Sequence, residues 1–157
     1  VRRIALLAAI AACGDTPAHS HAQRIGSLEG VIGGPHAIGQ IGDFLLENDQ
    51  IRLIIADKGV GRVNTTFGGT LVDADLVRPG GAGQGNDQLA ELLPGFVFSV
   101  IDATDVSITN DGSDGGVAEV TVTGVGGDLL QMVSLLNTGL VFPRRIASIP
   151  ASAGSRS

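Results

Sequence analysis

From residue 28 onward the chain breaks into short apolar runs separated by glycine and by small polar clusters, and where the runs are long enough to show a period, the period is two. "LEGVIGG" (28–34) reads as the first short strand and ends on paired glycines. "FLLENDQIRLIIAD" (44–57) places two apolar runs around Glu47, Asn48, Asp49 and Gln50, residues that favour a tight turn, and so predicts a β-hairpin. Its second arm is too apolar for an exposed edge. In "TLVDADLV" (70–77) alternation puts Thr70, Val72, Ala74 and Leu76 on one face and Leu71, Asp73 and Asp75 on the other. "DQLAELLP" (87–94) offers Asp87 as an N-cap, leucines at helical spacing and Pro94 as a stop, and predicts one short helix. "FVFSVIDATDVSITN" and "VAEVTVTGV" resume the strands across "DGSDGG", whose Asp-Gly pairs are hairpin signals. The pattern amounts to seven or eight strands and one short helix. The expected fold is mainly β, a β-sandwich or a partial supersandwich.

The first 27 residues follow other rules. Arg2 and Arg3 form a positive start, residues 4–12 an apolar run of nine, and small residues stand just before Cys13, which is the architecture of a secretory signal peptide over 1–12. Nine apolar residues fall short of the roughly 20 that a helix needs to span a bilayer. The tetrad Ile10-Ala11-Ala12-Cys13 resembles the lipobox of bacterial lipoproteins: an aliphatic residue, two small residues, then cysteine. The resemblance implies that the Cys13 thiol carries a diacylglyceryl group, that the signal is cut just before it, and that the new amino terminus is acylated too. Several acyl chains, at about 0.8 kcal/mol per buried methylene, hold a domain on a membrane where one chain is marginal. Asp directly after the cysteine is an inner-membrane retention signal in that family; Gly14 stands there instead, so the outer membrane is favoured over the inner. Residues 13–27 then read as a lipid-anchored flexible tether, with His19 and His21 as a solvated pair lacking a third metal ligand nearby, and 28–140 as the β-rich domain.

Composition narrows the possibilities. A chain of 157 residues, 43% hydrophobic, supports one domain with a real core. Five phenylalanines are its only aromatic residues, so that core is built from Val, Ile, Leu and Ala, and large aromatic anchors for binding are scarce. The 24 glycines fall in clusters between apolar runs, which suits turn-rich β structure. A formal charge of −6 with no basic patch argues against nucleic acid as a partner.

Three stretches invite chemistry. "GGAGQGND" (80–87) precedes the expected helix but lacks the Gly-Lys-Ser/Thr of a phosphate loop, the G-x-G-x-x-G spacing of a dinucleotide fingerprint and the repeated nonapeptide of a calcium roll. "NDGSDGG" (110–116) breaks the order of a calcium loop and is explained by a hairpin turn. Asp73 and Asp75 lie on one strand face about 7 Å apart. Carboxylates so placed face water, clasp a cation such as calcium, or hydrogen-bond sugar hydroxyls, and they are the candidate ligand or cation residues of this chain. His36 sits in a turn, "GGPHAIG". The sequence carries no G-x-S-x-G, no Cys-His arrangement and no H-E-x-x-H, so no catalytic residue is assigned and a non-enzymatic role is expected.

Residues 42–94 also resemble the N-terminal β-rich module of large exported bacterial proteins, some of which carry a metallohydrolase domain, and one edge of the supersandwich of mutarotase-like, carbohydrate-handling folds. The phrases that carry this resemblance are "GDFLLENDQIRLIIAD", "GGTLVDADL" and "DQLAELLP"; none holds a catalytic motif. Residues 14–140 carry five bases against all sixteen acids, whereas residues 141–157 carry Arg144, Arg145 and Arg156 and no acid. That switch is the kind a truncation or frameshift produces, and the tail is expected to be poorly ordered. The sequence thus points to a lipid-anchored cell-envelope protein, attached through Cys13, that displays a β-rich domain with carbohydrate as the candidate ligand. Two alternatives stand beside it: the front fragment of an exported multidomain hydrolase lacking its catalytic part, and a structural envelope protein.

Overall fold

A computed structural model describes residues 19–63, 67–78, 85–96, 99–129 and 141–149; of residues 96 and 141–147 only the backbone is described. The expected signal peptide and Cys13 lie outside them.

Among the described residues, eight strands form two antiparallel four-stranded sheets. Sheet A runs β1 (Ser20–Arg24), β2 (Phe44–Asn48), β3 (Ile51–Ile55), β4 (Leu71–Leu76), in that order across the sheet. Sheet B runs β5 (Gly95–Phe96), β6 (Ser99–Asn110), β7 (Ala118–Asp128), β8 (Val141–Ile149). The architecture is mainly β and consistent with a β-sandwich, as the alternation and the glycine clusters required.

Both predicted hairpins form. Asn48 closes the β2–β3 turn by accepting, through Oδ1, the amides of Gln50 (2.8 Å) and Ile51 (2.9 Å). In the β6–β7 turn Asn110, Asp111 and Asp114 each take the amide two residues on, and Gly112 and Gly115 supply the positive φ that the turn needs. The same turn docks on β1: the Ala22 amide reaches the Asp111 carbonyl at 3.1 Å, and Ser20 Oγ both accepts from the Ala118 amide and donates to the Gly116 carbonyl, each at 2.9 Å.

Sheet A is buried on both faces. One face packs Ala22, Phe44, Leu46 and Ile55 against Ile101, Ala103, Val106, Ala118, Val120, Val122 and Ile149 of sheet B. The other face puts Leu45, Ile54, Ala56 and Val72 under Ile25, Ile32, Val31 and Ile38, which belong to the long connection between β1 and β2. This second layer explains why "IRLIIAD" reads as continuously apolar. Fully burying side chains such as Leu45 and Ile54 stabilises the fold by about 1.5–3 kcal/mol each. A register shift between Ile54 and Ile55 adds Val72 to this second cluster, against the simple alternation.

Four expectations need correction. Residues 20–24, assigned to the tether, are β1, because Ala22 is buried against sheet B and the strand pairs fully with β2. Residues 28–34 are not a strand: Leu28–Gly30 is a single 3-10 turn, followed by the irregular cover of the second cluster. Residues 87–94 are not a helix, since the segment lies extended along the free edge of β4, where Leu92 bridges Leu71 and Asp87 is wholly buried. The tail begins with β8, nine residues paired to β7 from Ala118↔Ile149 to Val125↔Val141. Its Ser and Ala residues concealed a strand whose partner, β7, is itself long enough to pair on both edges.

Candidate functional site

The β4 register decides where the two aspartates of the sequence pattern go. Asp73 stands opposite Ile54 and Asp75 opposite Arg52, so both leave the sheet on the side away from sheet B. That side is not bathed in solvent. Asp73 is completely buried: Oδ1 accepts the Ile38 amide at 2.8 Å and Oδ2 the Gly39 amide at 2.9 Å. Burial raises its pKa above the ordinary 3.8, the two amides pull it back, and the charges of Asp87 and Asp43 push it further up. The solvated face expected for Asp73 is therefore a protein interior.

Asp75 is held differently. Its Oδ2 accepts the Asn86 amide at 2.7 Å and an ion pair from Arg78, and its Oδ1 accepts the Leu76 amide at 2.8 Å. Arg78 above all, with the two amides, lowers its pKa to about 2. The two carboxylates share a face but not an environment, and each already binds donors from a separate piece of chain.

Two further carboxylates join them, and the sequence pattern gave neither this role. Asp43 accepts the Gln40 and Asp57 amides at 2.8 and 3.0 Å and a buried ion pair from Arg62, whose Nη2 lies 2.8 and 2.6 Å from its two oxygens. Asp87, read as a helix cap, instead takes the Ala74 amide at 2.8 Å and the Leu89 amide at 3.2 Å on Oδ1. Its Oδ2 is buried without a hydrogen-bond partner. The available signal was the glycine spacing around these residues. A β-carbon on Gly34 would stand 2.2 Å from the Asp87 amide nitrogen, and one on Gly85 would stand 2.1 Å from the Gly33 carbonyl oxygen. Glycine-rich segments on both sides mark two stretches of backbone that press together.

The concave feature beside these residues is a groove of about 390 Å³. Its apolar lining is Ile51, Leu53, Ala74, Leu76 and Leu89, and its polar lining is Asp75, Arg78, Asn86 and Gln88. The pairs Ile51↔Leu76 and Leu53↔Ala74 face the sheet B side, but the principal contacts between the sheets are made by β1 and β2, leaving Leu76 61% exposed. Asp75 thus lines this groove, whereas Asp73 is not among its lining residues.

Of the other expected residues, His21 lies on β1 opposite Glu47 and His19 just before it, both exposed, and His36 contacts the Gln88 carbonyl through Nδ1 at 3.1 Å. Among the described residues no three His, Cys, Asp or Glu side chains gather as a metal site, and no helix is long and apolar enough to cross a membrane. Compared with known proteins, the chain matches no family model, no curated protein and no solved structure.

Proposed function

We propose that the chain is a lipoprotein of the bacterial cell envelope, anchored through Cys13 on the outer membrane in preference to the inner, whose β-sandwich binds carbohydrate in the groove between β3–β4 and residues 86–89. The observation that carries this reading is the composition of that groove. Planar polar side chains, Asp75, Arg78, Asn86 and Gln88, border an aliphatic floor of Ile51, Leu53 and Leu89. A saccharide presents hydroxyl groups at its rim and C–H groups on its faces, and a pocket of apolar lining with a few placed polar groups suits it. The lipobox supplies the address: acyl chains on Cys13 would leave the domain free to meet cell-envelope glycans at the surface.

Calorimetric titration of the full chain in detergent with a panel of envelope oligosaccharides tests the proposal. Arg78→Ala combined with Gln88→Ala should weaken the binding at least about tenfold, or about 1.4 kcal/mol. Absence of binding across the panel, or binding indifferent to that double substitution, removes the groove from the account and leaves a structural envelope role as the better reading.

A further inference from the structure

Among the described side chains every lysine and arginine already faces a carboxylate other than Asp73 and Asp87. Arg24 pairs with Asp57, Arg52 with Glu47, Lys58 with Asp105, Arg62 with Asp43, and Arg78 with Asp75. Asp73 and Asp87 are both fully buried, and their described partners are backbone amides. One oxygen, Asp87 Oδ2, has no partner at all. Two buried carboxylates without a cation are costly to keep ionised together, and the smallest remedy is a proton.

The two residues each hold a separate segment of chain in place. Asp73 fastens residues 38 and 39 to the outer face of sheet A, and Asp87 fastens residues 85–92 to the edge of β4. The two segments also bind each other, through the Asp87 amide on the Gly33 carbonyl at 3.1 Å and the His36 amide on the Asp87 carbonyl at 3.3 Å. We propose that residues 33–43 and 85–92 form a proton-dependent flap over sheet A, closed while the buried Asp73 carboxyl keeps its proton and loosened as that proton leaves to water with rising pH. The proposal does not depend on what the groove binds.

The neighbouring elements carry these charged and titratable groups: His36 and Asp43 in the covering loop, Glu47 and Arg52 across the sheet, Asp57, Lys58 and Arg62 after β3, Asp75 and Arg78 at the end of β4, and Glu91 beside Thr70. Asp43 adds to the repulsion, and the cations are committed elsewhere. The direction of the effect follows. A carboxyl whose folded pKa lies above its unfolded 3.8 contributes stability that is full below 3.8 and is lost as pH rises through the folded value. The flap therefore closes in acid, and in that window its opening constant rises by up to about tenfold per pH unit for one proton.

Hydrogen exchange of the full chain, corrected for intrinsic rates, reads this directly. Protection of peptides covering 33–43 and 85–92 should fall as pH is raised from about 4 to about 7, while peptides of β6 and β7 hold theirs. Asp87→Asn keeps the Oδ1 acceptor for Ala74 and Leu89 but removes the charge, so it should flatten the dependence. If that variant does not fold, carbon-13 titration of the wild-type carboxyl groups decides: an Asp73 signal titrating above the ordinary carboxylate range of about 4 supports the flap. Protection in wild type that does not change with pH, or an Asp73 signal titrating at or below about 4, overturns it.

Discussion

The Gly39 amide donates to Asp73 Oδ2 at 2.9 Å, and a β-carbon on Gly39 would stand 2.6 Å from the same oxygen and 2.7 Å from Ile54 Cδ1. The residue that fastens the covering loop to the buried carboxylate therefore has to be glycine for reasons of space, not of backbone angle. Gly39→Ala should destabilise the fold by about 1–3 kcal/mol, since either the hydrogen bond or the packing of Ile54 must give. Gly26, whose β-carbon would meet nothing within 4 Å, is the control: Gly26→Ala should shift urea midpoints by little or in the stabilising direction. Equal midpoints for the two variants would contradict the packing.

Arg62 and Asp43 form the most deeply buried ion pair among the described residues, with side chains 6% and 1% exposed. Arg62→Ala leaves Asp43 as an uncompensated buried charge and should cost about 3–5 kcal/mol. Lys58→Ala, at an exposed pair spaced at 4.0 Å, should stay within about 0.5 kcal/mol of wild type. Chemical denaturation of both variants checks the contrast.

Asp75 and Asp73 respond to acid in opposite directions. With its folded pKa lowered to about 2, chiefly by Arg78, Asp75 contributes stability that is present above 3.8 and is lost as pH falls toward 2. Arg78→Gln should raise the Asp75 pKa toward its ordinary value, visible as an upward shift of that carboxyl's titration midpoint by NMR. An unchanged midpoint would mean that the amides of Asn86 and Leu76 alone hold the charge.

What the sequence shows and what it hides follow from the range of the interactions. The β2–β3 and β6–β7 hairpins were legible because their turns are closed by local side chains, Asn48, Asn110 and Asp114, whose partners lie two or three residues away. The aspartates of β4 were legible as a pair on one face. Their burial was not, because the layer that covers Asp73 comes from residues 38 and 39, more than thirty positions upstream, and carries no period of its own. Asp87 followed by spaced leucines satisfies the local signature of a helix start, and the competing pull, a bare β4 edge needing partners at Leu71 and Ala74, has no local trace. β1 and β8 were missed for a related reason: each is held by pairing with a strand distant in sequence rather than by a pattern of its own.

The anchor has its own test. Labelled palmitate should enter the wild-type chain in a bacterial host, and Cys13→Ser should abolish both the labelling and the retention of the chain in the membrane fraction. Retention of the unlabelled variant would contradict anchoring through this thiol.

Amide shift mapping during a saccharide titration decides whether the proposed groove along β3 and β4 is where this domain meets a ligand. Shifts should concentrate at Ile51, Leu53, Ala74, Leu76, Gln88 and Leu89, which line the groove, with the β6–β7 hairpin unmoved. Shifts centred on sheet B, or a spectrum untouched by every saccharide tried, would contradict the proposal.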